Sequence, residues 1–523
     1  MRVPFVYKPG IQRDGGDFQD EYCIDGQWIR FVGGKIRKMK GQRELVAPDH
    51  LDGITFLDMY FNGTNPILIY ATTNAVHRCI VNDSLTNISN DTQVLAGLDN
   101  NLSRTWQGVK FIKDGRAAYG LLITSNGSNM LSNVNGTLSW QYLDEDDPFE
   151  APQEVPASGG ILYSNPCLFL YGNNGTLLWS RSSDPLNFEG DDAGKEAISE
   201  NKLIFGASIR GGTNAPSFLF WTENSVIYLT NVADSNAQVL FDFQKEVVTN
   251  NSSVMSSRCI VQYDSLFFWL GTDRAFVYNG IVDSIKNDIN FQFFLENVDL
   301  TKRQKIYGYK IARYGEIRWA YPEKRYSNRA GIGCTREIVY NVRENSWYDT
   351  AVARDCAFVY EATGDIFSFG DSSTNYPYNP DNAYKAIWKQ ETGYDEVRRD
   401  GLHYNVPSFF TTPYFGFVAF NPAKNGNTVD KYIVLDQIEP DFPAPEGYTR
   451  TVDDTLVIGV SYRKYATTPK TSINPVNFNL NPADSPGKID FRVSGRFMTI
   501  TFACIYPYNV GNILINFKEG DNQ

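Results

Sequence analysis

The chain has 523 residues, 42% of them hydrophobic and 14% aromatic, with 34 Phe, 31 Tyr and 9 Trp against 6 Met and 3 His, and its net charge is −12. That length exceeds an ordinary single domain, and the apolar content is ample for a real core. The acidic balance argues against a free-standing nucleic-acid binder, which would normally be basic, but not against a protein that DNA passes without sticking.

Aromatic side chains suit half-buried pleated surfaces, and 42 Gly, 24 Pro and many Asn and Asp supply turns, so an all-β fold is expected. The opening residues "MRVPFVYKPGIQRDGG" have no apolar signal region, and no run approaches the ~18–20 apolar residues of a membrane span. Seven cysteines, Cys23, Cys79, Cys167, Cys259, Cys334, Cys356 and Cys504, stand singly without a CxxC pair, which fits reduced, buried thiols in a cytosolic product. The Asn-Gly-Thr triplets at Asn62, Asn135 and Asn174 are read as turn chemistry.

Residues 1–49 are expected to form an N-terminal arm and a hairpin, "QWIRFVGGKIRKMKGQREL", turning at Gly33-Gly34 and supplying a strand that closes the next domain. Residues 50–400 then repeat. "ILIYATTN" ends at Asn74, "GLLITSN" at Asn126, "LFLYGNN" at Asn174, "FLFWTEN" at Asn224 and "LFFWLGTD" at Asp273, so the turns are 52, 48, 50 and 49 residues apart. An apolar strand, a turn residue tolerant of left-handed backbone and a second strand make a β-hairpin. A period near 50 is the length of a four-stranded propeller blade. Weaker copies run through "EIRWAYPEKRYSN" to Asn328 and through "AFVYEATGD", turning at Gly364 into "IFSFG". Six or seven four-stranded blades therefore fit a β-propeller, favoured over a solenoid or a string of sandwiches because the period is long and nearly constant. Residues 401–523 lose the period and carry longer alternating strands with Pro- and Asn-rich linkers, as expected of a C-terminal antiparallel β-sandwich-like domain.

Chemistry is hard to find. His50, His77 and His403 are far apart, and HxH, HExxH, GxSxG and GxxxxGK[ST] patterns are absent, so no metal, no cofactor and no catalytic residue is expected. The run "DEDDPFE" from Asp144 lacks the spacing of a calcium loop and reads as a solvated acidic loop. In "LLWSRSSDPLNFEG", Trp179 is expected to pack on the next blade, Ser180 to Asp184 to form a turn stiffened by Pro185, and Phe188 to return to the core. With no histidine nearby to activate a serine, this stretch is architecture. Two basic stretches stand out: residues 30–43 hold six basic and no acidic side chains, and residues 302–325 hold eight against two. They are either solvated strand faces or docking surfaces for an acidic partner or DNA phosphates; Arg30, Lys35, Arg37, Lys38, Lys40, Lys302, Arg303 and Lys305 are the candidate docking residues.

"GQWIRFVGGKIRKMKGQREL" resembles the opening segment, W-R-F-x-x-G-x-x-x-K-x-x-G, of the tail hub or nozzle proteins of short-tailed phages, the packaged-DNA stabilisation family. "LLWSRSSDPLNFEG" is similar to that family's W-S-x-x-x-D-P-x-x-F segment, and "VYNVRENSWY", "LDQIEPDF" and "RVSGRFMTITF" resemble its later segments. The likeness is spread over most of the chain in short motifs, and the chain is somewhat long for the family. The resemblance implies a structural protein of the virion tail, made in the bacterial cytoplasm and not an enzyme. Such a protein forms a homohexameric ring below the portal and adaptor proteins, extends the channel for packaged double-stranded DNA without reading its sequence, and anchors tail fibres or spikes. The alternatives are a propeller adhesin that recognises cell-surface glycan and a glycan-cleaving propeller.

Overall fold

A computed structural model describes residues 2–15, 21–46, 53–98, 104–125, 131–145, 148–209, 216–233, 240–329, 331–415, 432–465 and 467–520. His50, the turn at Asn126 and Asp146-Asp147 of the acidic loop lie outside the described residues.

The protein is all-β and built chiefly of four-stranded antiparallel sheets. Five of them are made of consecutive strands, spanning Phe56–Leu95 (module 1), Arg104–Val155 (module 2), Gly160–Ala197 (module 3), Phe205–Thr249 (module 4) and Val261–Ile285 (module 5). A nine-stranded sheet follows. Its strand Ser346–Tyr360 is 15 residues long; the first half pairs with Cys334–Asn341 and the second half with Asp365–Asp371. This sheet therefore contains two further units. Module 6 runs from Tyr307 to the middle of that strand. Module 7 continues through Asp365–Asp371 and Lys385–Gln390 and takes its fourth strand, Gln42–Val46, from the other end of the chain.

The period of the sequence comes from the second strand of each module. Pro66–Ala71, Cys167–Tyr171 and Ser217–Trp221 are buried on both faces and so read as unbroken apolar runs. The turns use the expected chemistry: Asn174 sits at φ +50°, and the Asn62 side chain accepts from the Thr64 and Asn65 amides. One copy is out of phase. The Gly364 turn joins the first and second strands of module 7, whereas the turns at Asn74, Asn174, Asn224, Asp273 and Asn328 join second and third strands.

Each module packs on the next through aromatic side chains. Tyr60 stacks on Tyr119 at 5.2 Å between modules 1 and 2, and Phe111 meets Tyr163 at 6.4 Å between 2 and 3. Phe169 lies 4.8 Å from Phe218 between 3 and 4, and Trp221 lies 5.7 Å from Trp269 between 4 and 5. Trp319 of module 6 donates its indole N–H to the Cys259 carbonyl at 2.7 Å, and Tyr307 and Tyr309 share a core with Ile366 of module 7. A further cluster joins Leu57, Met59 and Tyr70 of module 1 to Phe367, Phe369 and Ile387 of module 7. The first strand of module 1 also touches the strand Ser346–Tyr360.

A second repeat lies in the first strands. Gly160, Gly206 and Gly308 stand directly opposite Tyr171, Phe220 and Trp319 of the second strand. A Cβ on Gly160 would fall 2.2 Å from the Tyr171 hydroxyl and 2.4 Å from Gln107 Oε1 of the preceding module. The missing side chain lets an aromatic ring and a neighbouring module close over the strand. Gly160→Ala should therefore cost about 1–3 kcal/mol by overpacking. Gly459→Ala, whose Cβ would meet nothing nearer than 4.0 Å, should be silent in the same denaturation experiment.

The residues after module 7 form two antiparallel sheets around one core. One contains Ile433–Glu439, Ile489–Gly495 and Leu514–Glu519 and is edged by Arg2–Pro4; the other contains Ser408–Thr411, Thr455–Arg463 and Phe497–Cys504 and is edged by Asp25–Gln27. Ile29, Phe31 and Ile36 of the hairpin Ile29–Val32/Lys35–Lys38 enter the same core as Leu435, Ile458 and Ile500. Both chain ends thus build this unit. Among the described residues of the N-terminal segment, Gln42–Val46 pairs into the sheet of modules 6 and 7, whereas the hairpin before it packs against those modules without joining their sheet. All seven cysteines are buried and unpaired.

Candidate functional site

The candidate docking residues separate on burial. Arg30 is 2% exposed and Lys38 is 5% exposed, so neither presents its charge to a partner; they are corrected here to interior residues. A cation that leaves water needs anionic or hydrogen-bonding compensation, and both find it. Arg30 donates to Glu391 at 2.7 Å and Glu316 at 3.3 Å and lies 3.7 Å over the Tyr314 ring. Lys38 donates to the Ile505 carbonyl, and burial pushes its ammonium down to about 8. Lys35 and Arg37 are exposed, and Lys40 is half-buried with its carbonyl accepting from the Trp28 indole at 3.2 Å. Lys302, Arg303 and Lys305 are half-buried on the turn before module 6, where Lys302 donates to the Ser327 carbonyl and Arg303 lies 3.6 Å from Glu223. The two basic stretches meet in the interior, where Arg30 of the first and Arg318 of the second both reach Glu316.

Arg30 belongs to a larger buried array. Arg318 bridges Glu316 at 2.7 Å and Glu337 at 3.2 Å; Arg354 reaches Glu337 at 2.9 Å, the Tyr309 hydroxyl and Gln390. Three arginines thus meet three carboxylates, counting Glu391, in the space between the N-terminal hairpin and modules 6 and 7. A second array holds the arm itself. Arg13 donates to Asp349 at 2.9 Å and Asp25 at 2.6 Å, and Arg336 reaches the same Asp349 and Glu323. The Gly33-Gly34 turn is fixed from outside, its two amides donating to the Glu344 carboxylate at 2.6 and 3.0 Å.

Burial alone would raise the carboxyls of Glu316 and Asp349. The guanidiniums of Arg30 and Arg318 outweigh it for Glu316, those of Arg13 and Arg336 for Asp349, and both carboxyls sit below their ordinary values of 4.5 and 3.8. A depressed folded-state value adds stability that is complete above the unfolded-state value and lost as pH falls through the folded one. Melting temperature should therefore drop as pH is lowered below about 4, and Asp349→Asn should flatten part of that acid limb while lowering stability at neutral pH. An identical acid limb in the variant would contradict the assignment.

A cavity of about 230 Å³ lies where the first strands of modules 2 to 5 converge. Trp106 and Gln107 come from module 2, Tyr171 from module 3, Phe205 from module 4, and Ser257 and Arg258 from the approach to module 5. Gln107 is committed to structure: its amide donates to the Ile161 carbonyl at 2.8 Å and accepts from the Ile161 amide at 3.0 Å. Sequence reading missed this site. Its residues are spread over some 150 positions, and none sits in a motif.

The "LLWSRSSDPLNFEG" stretch ties three modules together. Trp179 lies 5.8 Å from Phe241 and Phe243 of module 4, while Leu186 and Phe188 pack against the core that modules 2 and 3 share. Ser180 accepts from the Leu168 amide at 2.9 Å, Arg181 and Ser182 bond Asp192, and Asp184 meets Lys113 at 3.2 Å. In comparison with known proteins, no family model and no curated protein sequence matches the chain.

Proposed function

We propose that the seven modules close into a β-propeller and that the protein is a structural tail hub of a short-tailed phage, assembling as a homohexameric ring. The observation that carries this reading is the run of shared cores from each module to the next and from module 7 back to module 1, with Gln42–Val46 as the closing strand. A ring whose last sheet contains both an early and a late strand resists opening, as a wall around a DNA conduit must. The segments that resemble the family fall on this architecture. Trp28, Arg30 and Lys38 are buried, and Trp179 and Phe188 lie between modules. In this reading the conduit runs between protomers. Acidic chains around that conduit let DNA slide without adhering. Exposed Lys35 and Arg37 remain for portal, adaptor or fibre proteins.

Electron microscopy of the purified protein mixed with tail-less heads tests the proposal. Rings of six protomers seated at the portal vertex are expected. A monomer that never joins the heads would overturn it.

A further inference from the structure

We infer that the cavity between the first strands of modules 2 to 5 is a binding site for a small organic carboxylate of about one sugar ring in size. This does not depend on the assembly proposed above.

The lining has a surplus of donors. The Trp106 indole N–H is buried, the residue being 7% exposed, and has no hydrogen-bond partner among the described residues, while the Tyr171 hydroxyl lies against the Gln107 side chain and the Gly206 backbone. Buried polar groups without partners are uncommon and call for an occupant. Arg258 adds a full positive charge. Its guanidinium lies 5.2 Å over the Tyr307 ring and makes no ion pair with any described residue. Arg258 is half-buried, whereas Arg30, Arg318, Arg336 and Arg354, elsewhere between the modules, each meet a carboxylate. None of the lining residues is acidic.

One guanidinium and one open indole N–H, among hydroxyls that can donate as well as accept and with no carboxylate in the lining, favour an anion whose oxygens accept. A carboxylate is the match for the planar fork of arginine. Phe205 and Ile260 give the same cavity an apolar wall that suits the face of a ring. At about 230 Å³ the space is below the ~300–1,000 Å³ of sites for drug-sized ligands, which limits the occupant to one ring.

The test is calorimetric titration of the full chain with D-glucuronate as probe, with D-glucose and acetate as comparison arms. Glucuronate should bind and glucose should not. Acetate binding as well as glucuronate assigns the cavity to small carboxylates in general, and acetate binding more weakly assigns it to an acidic sugar. Arg258→Gln should weaken glucuronate by at least about tenfold, the effect of losing a charged hydrogen bond. Should that variant misfold, 5-fluorotryptophan labelling of the wild type decides, with the Trp106 resonance identified through Trp106→Phe. That resonance should shift on adding glucuronate. No binding by the wild type, equal binding of glucose, undiminished binding by a folded Arg258→Gln protein, or an unmoved Trp106 resonance would each overturn the inference.

Discussion

Arg30→Ala is expected to lower unfolding free energy by about 3–5 kcal/mol, the range for removing one partner of a buried ion pair. The reason is the charge count in the buried array between the N-terminal hairpin and modules 6 and 7. Arg30, Arg318 and Arg354 face Glu316, Glu337 and Glu391, all within the interior. Taking away one cation leaves an uncompensated buried carboxylate, and Arg318 cannot serve Glu316, Glu337 and Glu391 at once. The stacking on Tyr314 is lost as well. Arg37→Ala, seven residues along on the exposed side of the same hairpin, should change stability by no more than about 0.5 kcal/mol. Urea titration of both variants reads the contrast. Equal, small effects would mean that the basic run of residues 30–43 is solvated throughout.

Gly41→Ala should be at least as damaging, about 4 kcal/mol or more, because the clash is with main chain that cannot rotate away. A Cβ there would lie 1.9 Å from the Asp395 carbonyl oxygen and 2.6 Å from its carbon. The same contact is held by hydrogen bonds on both sides: the Gly41 amide donates to the Gly393 carbonyl at 3.2 Å, and the Gln42 amide to the Asp395 carbonyl at 3.1 Å. Relieving the clash displaces Gln42–Val46, which pairs with both Lys385–Gln390 and Glu396–Val397. Hydrogen exchange should show Gln42–Val46 and Lys385–Gln390 losing protection together, ahead of the second strands of modules 3 and 4. Wild-type protection in the variant would remove Gly41 from the closing contact.

The modules were legible in the sequence because their second strands are dry on both faces. "LFLY" and "FLFW" announce themselves, and the residues that must turn after them are Asn or Asp. The phase error at Gly364 has a physical cause. Ser346–Tyr360 runs without interruption from one module into the next, so no turn residue marks the boundary. The strands Arg2–Pro4 and Asp25–Gln27, which edge the C-terminal sheets, pair with partners almost 400 to more than 500 positions away, and no local pattern encodes such pairings. Arg30 and Lys38 looked like surface because a basic run is usually solvated. What buries them is Glu316, Glu391 and the Ile505 carbonyl, which are visible only once the fold brings them near. Arg258 was passed over for the converse reason: an arginine without a carboxylate is a fact of space, not of spacing.

A cryo-electron microscopy map of the purified protein tests closure of the ring most directly. The account predicts seven four-stranded modules around one axis, with the strand from residues 42–46 supplying the fourth strand of the seventh and the first module packed against it. A map in which modules 1 and 7 stand apart, or in which residues 42–46 pair elsewhere, would contradict it.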